Sequence, residues 1–207
     1  MSRFESEFDK YFTKAVELLE HSSAEAVHDH ISQIPDEDYR NSTFRRVAST
    51  LAERNRFMEA YRFCVAIPRP LERADAFLEV GRILRVKGNT DAAKQAYSQA
   101  VAAAEAIERD PAEAAAVLLQ IASEFKEMHE RDQAVKLLRR AIELTSKRPQ
   151  AFEAGKTLRG CARLLAKLNL TSEAAKVAEL IESPQLRSTT VEEIHGRGEW
   201  PVTPDSE

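Results

Sequence analysis

Residues 77–104, FLEVGRILRVKGNTDAAKQAYSQAVAAA, consist of two helix-length stretches joined by a short turn. The apolar residues of the first stretch have the i, i+3, i+4, i+7 spacing of one helix face, and they are Phe77, Val80, Gly81 and Leu84. Gly88 suits the left-handed position that ends a helix, and Pro70 suits a first helical turn. Thr90 is predicted to cap the second helix. The stretch therefore predicts an antiparallel helical hairpin.

The same pattern recurs along the chain. Its first-helix stripes begin at Phe44, Phe77, Leu118 and Leu158. The residues in the place of Gly88 are Asn55, His129 and Asn169, and the alanines that open the second helices are Ala60, Ala93, Ala134 and Ala174. This agreement predicts about four copies of one helical pair over residues 37–183.

The pattern resembles the tetratricopeptide repeat family. In residues 77–104 the family motif is matched by Phe77, Val80, Gly81, Leu84, Gly88, Ala93, Tyr97 and Ala100, and the resemblance covers about residues 37–183. The resemblance implies an all-α fold, a right-handed superhelical solenoid of antiparallel helix pairs. Because two of the spacings between copies exceed the usual 34 residues, some helices are expected to be longer.

The two ends of the chain differ from this array. Residues 1–36 are predicted to form a divergent helical hairpin that caps the array, since stacked repeats need a polar end. Its apolar residues are Ala15, Leu18, Leu19, Ala26, Val27, Ile31 and Ile34. Residues 184–207 contain three prolines and no helical stripe, and they are predicted to be an extended, flexible, acidic tail. Whether Trp200 of this tail docks in a groove is left open.

The composition excludes several classes of protein. The chain has 207 residues, of which 43% are hydrophobic and 31% charged, and its net charge is -4. Such a charge gives no overall attraction to nucleic acid or to an anionic membrane. No secretory signal or membrane span is evident, so a cytoplasmic location is expected. Cys64 and Cys161 lack metal-type spacing and are predicted to be buried free thiols.

The resemblance also implies where a partner would bind. In this family the binding groove is lined by the first helices, on the face away from the apolar stripe. The residues projected onto that face are Arg45, Ser49, Leu78, Arg82, Arg85, Leu119, Lys126, Lys156, Arg159 and Arg163. Arginine can grip a carboxylate through two hydrogen bonds. The groove is therefore predicted to bind an acidic protein or peptide, unless these charges are simply a solvated face.

No known catalytic or metal-binding motif is present, and no cofactor is expected. The sequence favours a non-enzymatic adaptor over two alternatives. The first is a self-associating module, for example a homodimer. The second is an RNA-binding helical repeat, although such proteins normally have an overall positive charge.

Overall fold

The computed structural model describes residues 3–147 and 153–196, with side chains from residue 9 onward. All the secondary structure in these residues is helical. The chain divides into two compact units, residues Met1–Ala106 and Ile107–Glu207, which are described separately.

The first unit consists of consecutive helical pairs. Its helices are α1 Arg3–His21, α2 Ala24–Ser32, α3 Glu37–Glu53, α4 Phe57–Val65, α5 Pro70–Val86 and α6 Thr90–Glu105. The α1 helix packs against α2 and α3, the α3 helix packs against α4 and α5, and the α5 helix packs against α6. Because no pair covers its apolar face alone, the stacked pairs complete one core.

The second unit follows the same rule. Its helices are α7 Pro111–Glu127, α8 Arg131–Ser146, α9 Ala154–Lys167, α10 Thr171–Glu179 and α11 Pro184–His195. The α7 helix packs against α8 and α9, and α9 packs against α10 and α11. The predicted all-α fold with packing between adjacent helical pairs is therefore confirmed, and the right-handed superhelix stays a prediction.

The four turns within the pairs share one backbone geometry. Asn55, Gly88, His129 and Asn169 all have positive φ angles, between 59° and 80°. In each turn the amide of the next residue donates to the carbonyl five residues before it, as from Asn89 to Leu84 at 2.9 Å. This is the Schellman arrangement that satisfies carbonyl groups at a helix end. The turn residues identified from the sequence are thus the helix terminators.

Small residues allow the paired helices to approach each other. Gly81 lies against the ring of Tyr97, so that a β-carbon at Gly81 would lie 2.4 Å from Tyr97 Cε1. Both the alanine and the leucine that replace this pair in α7 and α8, Ala122 and Leu138, are fully buried. A glycine therefore stands where the facing side chain is largest.

Two details of the helical pairs differ from or refine the prediction. The N-cap of α6 is Asn89 and not Thr90, because the Asn89 side chain accepts a hydrogen bond from the Ala92 amide at 3.3 Å. The extra residues of the longer copies lie in the second helices, since α6 and α8 each have 16 residues while α4 and α10 have 9.

The structure agrees with the predicted N-terminal hairpin and corrects the prediction for the C-terminal segment. Helices α1 and α2 occur where the N-terminal hairpin was expected, and they bury Ala15, Leu19, Val27 and Ile31. At the other end, Pro184–His195 forms α11, so the prediction of an extended segment is wrong there. This helix packs on α9 and α10, and Ser183 caps it through a hydrogen bond from the Leu186 amide. Trp200 and the prediction of its docking lie outside the described residues.

The α11 helix resembles the first helix of a further repeat. The Arg187 guanidinium donates to the carbonyl of Ile181, six residues earlier, at 2.9 Å. The same bond joins Arg40 to Ile34 and Arg73 to Ile67 at the starts of α3 and α5. Each bond ties a first helix to the residue that closes the preceding pair.

The cysteine prediction is confirmed, because Cys64 and Cys161 are buried and free. Burial raises the pKa of both thiols, that of Cys161 to about 12. Within the described ranges, none of the helices is both long enough and apolar enough to cross a bilayer.

Candidate interaction site

A row of cations runs along α9 in the second unit. Lys156, Arg159, Arg163 and Lys167 follow one another at intervals of three or four residues, so they share one face of the helix. The α9 sequence AGKTLRGCARLLAK contains no acidic residue. These four residues are called the α9 row below. Their like charges repel each other along the helix, and a carboxylate from elsewhere would relieve that repulsion.

Glu193 of α11 supplies such a carboxylate. Arg159 donates to both Glu193 oxygens, with Nε to Oε2 at 3.3 Å and Nη2 to Oε1 in a shorter contact. Arg163 Nε lies 3.6 Å from Glu193 Oε2. The Glu193 side chain is 23% exposed, so part of this cluster is removed from solvent. Two members of the α9 row therefore already hold a carboxylate, and Arg159 does so with the forked geometry that arginine favours.

The apolar contacts of α11 with the rest of the unit are few. Only Thr190 and Ile194 are buried among its twelve residues. In addition, Leu186 packs over Gly155, where a β-carbon would lie 3.1 Å from Leu186 Cδ2. Since one fully buried aliphatic side chain contributes about 2 kcal/mol, α11 is held weakly compared with the core helices.

The corresponding face of the first unit, between α3 and α5, has mixed charge. Arg45 Nε lies 3.5 Å from Glu79 Oε2. Ser49 is 9% exposed, and its hydroxyl donates to Glu79 Oε1 at 2.7 Å. The predicted groove residues Arg45 and Ser49 are therefore brought together, but around an acidic residue of the neighbouring helix.

On the part of this face that belongs to α5, acidic residues predominate towards the start of the helix. Glu72, Asp75 and Glu79 are spaced three and four residues apart and so lie on one side of the helix. Burial raises the pKa of Asp75 above its usual value, and the negative charges of Glu72 and Glu79 add to this effect. Arg45 and Arg82 oppose it by favouring the ionised carboxylate.

The other predicted groove residues have varied surroundings. Leu78 is 1% exposed and belongs to the core, so its prediction as a groove residue is wrong. Leu119 is half-buried against α9, where a β-carbon on Gly160 would lie 2.4 Å from Leu119 Cδ2. Arg82 and Arg85 are half-buried on α5.

Two of the predicted lysines have acidic neighbours in sequence. Lys126 Nζ lies 2.7 Å from Glu127 Oε1, and Lys156 Nζ lies 3.0 Å from Glu153 Oε1. These pairs lie within their own segments and are exposed, so each contributes little to stability.

Sequence reasoning did not predict Glu193 and Glu79 as site residues, although they complete the two clusters. Glu193 was missed because its segment was expected to be extended, although Ser183 followed by Pro184 is a helix-start signal. Glu79 is adjacent to the groove positions in sequence, and only the packing of α3 on α5 brings it to Ser49. Across residues 3–147 and 153–196, no three or more His, Cys, Asp or Glu residues form a group that could hold a metal ion.

The comparison with known families agrees with the repeated pattern. The family model described as Tetratricopeptide repeat matches residues 74–107, which include most of α5, all of α6 and the two residues after it. This chain carries a tetratricopeptide repeat. The resemblance drawn from the sequence is confirmed by this match, and such a repeat indicates a protein–protein interaction module. No curated protein matches the chain.

Proposed function

We propose that this tetratricopeptide-repeat protein is a non-enzymatic adaptor whose α9 row binds an acidic segment of a partner protein. The single observation that carries the proposal is the contact of Arg159 and Arg163 with Glu193. A row that holds one carboxylate within the chain has the chemistry to hold another from outside it.

The chemistry of α9 supports an acidic partner. Four cations and no acidic residue lie along fourteen residues. The ends of the row are accessible, since the Lys156 side chain is 64% exposed and Lys167 is also exposed. A preformed helix surface of this kind spares the partner part of the ordering cost of binding.

Glu193 acts in this proposal as an internal competitor. An arriving carboxylate gains contacts with Arg159 and Arg163 only by replacing those of Glu193. Because α11 has few apolar contacts, displacing Glu193 from the row costs little free energy. The affinity measured for a partner is therefore reduced by the fraction of molecules in which α11 covers the row.

The test is a quantitative pull-down with the full chain. The wild type is compared with Arg159→Glu/Arg163→Glu and with a matched control, Arg131→Glu/Lys136→Glu. The control changes the net charge by the same amount on exposed positions of α8 in the same unit. We expect one or more proteins to bind the wild type and the control but not the α9 variant, and their retention to fall as salt rises.

A second measurement uses any partner identified in this way. Glu193→Gln removes the competing charge while keeping the shape of the side chain, and it should strengthen binding by about fivefold, which corresponds to about 1 kcal/mol. Equal retention of all partners by the wild type and the α9 variant, or weaker binding by Glu193→Gln, would refute the proposed site.

A further inference from the structure

We infer that the first unit contains a second and chemically opposite site: the cleft between the starts of α3 and α5 binds the cationic side chain of a lysine or arginine from a partner protein. The cleft has a volume of about 180 Å³. It is lined by Asp38, Asn41, Ser42, Arg45, Ile67 and Glu72. The inference is independent of the α9 row, because none of these residues belongs to the second unit.

A buried polar group in the wall of the cleft lacks a partner. Asn41 is 3% exposed, and its Nδ2 donates to Glu72 Oε2 at 2.7 Å. The other amide atom, Oδ1, is buried without a hydrogen bond. A buried acceptor that makes no hydrogen bond destabilises the fold, and a donor entering the cleft would recover part of that lost free energy. The orphan atom therefore indicates a ligand that donates hydrogen bonds.

The charges near the cleft favour a positive ligand. One guanidinium, that of Arg69, contacts three carboxylates: Glu37 at 2.9 Å, Asp38 at 2.7 Å and Glu72 at 2.9 Å. These hydrogen bonds raise the pKa of Arg69 above its usual value. Three negative charges thus share one positive charge, and about two remain to be neutralised.

The remaining charges on this face do not reverse that balance. Arg45, the cation in the wall, lies 3.5 Å from Glu79 of α5, and together with Arg82 it also acts on Asp75, so its charge is shared between these two carboxylates. Asp75 lies one turn beyond Glu72 on the same side of α5, and the negative charge of Glu72 contributes to its raised pKa. A cation in the cleft would lie close to both carboxylates and would favour their ionised forms.

The wall offers acceptors for the charged tip of a basic side chain. Asp38, Glu72 and the Asn41 carbonyl oxygen are acceptors for an ammonium or guanidinium group. Ile67 lies beneath them in the wall and is fully buried. A partner side chain of this kind would be anchored by charge and hydrogen bonds at its tip.

The experiment titrates the full chain with capped amino acids and follows the side-chain amide resonances of Asn41 by NMR. N-acetyl-lysine N-methylamide and its arginine analogue should shift these resonances in a saturable way, and the capped glutamate analogue should not. The same titration with 1,4-diaminobutane tests whether a free amine is preferred. A diamine that binds about tenfold or more tightly than the capped side chains would overturn the assignment to a protein partner.

Two variants form a matched pair. Asp38 and Glu37 are adjacent in the first turn of α3, and both contact Arg69, but only Asp38 lines the cleft. Asp38→Asn should weaken binding of the capped lysine by about fivefold, whereas Glu37→Gln should change its affinity by less than about twofold. Equal effects of the two variants, or no shift at Asn41 with either basic probe, would overturn the inference.

Discussion

The contact between Gly81 and Tyr97 leads to a quantitative prediction about stability. A β-carbon at Gly81 would lie 2.4, 2.6 and 3.0 Å from three ring atoms of Tyr97. Ordinary carbon contacts are about 3.5–4.0 Å, so in Gly81→Ala the ring or the helices must move by about 1 Å. Tyr97 is fully buried, so its ring is enclosed by other core residues.

The expected cost follows from two opposing effects. Overpacking of a core by one carbon costs about 1–3 kcal/mol. Replacing glycine by alanine inside a helix returns up to about 1 kcal/mol through helix propensity. We therefore expect Gly81→Ala to destabilise the first unit by about 1–2 kcal/mol, measured as faster hydrogen exchange of the most protected α5 and α6 amides.

A double-mutant cycle tests the proposed cause. The pair Ala122 and Leu138 fills the same two positions in α7 and α8, so Tyr97→Leu should make room for the added methyl group. In the Tyr97→Leu background, Gly81→Ala should be neutral or stabilising, which corresponds to a coupling energy of about 1–2 kcal/mol. The same destabilisation in both backgrounds would refute the packing explanation.

Gly88→Ala is the control for this cycle. Gly88 has a φ of +80°, and nothing lies within 4 Å of an added β-carbon. Its cost, about 1 kcal/mol, would come from the left-handed backbone conformation alone. Tyr97→Leu should therefore leave the effect of Gly88→Ala unchanged.

Two other predictions concern titratable groups. Because the pKa of Asp75 is raised in the folded state, chiefly by burial, its ionisation opposes folding at neutral pH. Asp75→Asn should raise the free energy of unfolding by up to about 1 kcal/mol at pH 7. This gain should disappear at a pH below the ordinary pKa of an aspartate. A lower free energy of unfolding for the variant in urea titrations at pH 7 would contradict this sign. Burial raises the pKa of Cys161 to about 12, so this thiol should resist iodoacetamide at pH 8 until urea is added, as mass spectrometry of the labelled protein would reveal.

The sequence by itself determined the helical pairs and their turns. The stripes that begin at Phe44, Phe77, Leu118 and Leu158 correspond to buried faces of α3, α5, α7 and α9. The turn positions were equally evident, because a left-handed residue after a helix is a local requirement met by glycine, asparagine or, at His129, a less common choice. Within each pair these features keep the same spacing from one another, and they depend on contacts within that pair.

Only the tertiary structure determined which residues meet across different helices. PQLRSTTVEEIH has two adjacent threonines and no clear apolar stripe, so its helix depends on packing against α9 and α10. Leu78 was projected into the groove as part of the face away from the apolar stripe, but the buried face of α5 is wide enough to include it. Local spacing fixes the face on which a side chain lies, whereas the partner on that face is fixed by how neighbouring helices pack. For this reason the cations of α9 could be read from the sequence, and the carboxylate that two of them hold could not.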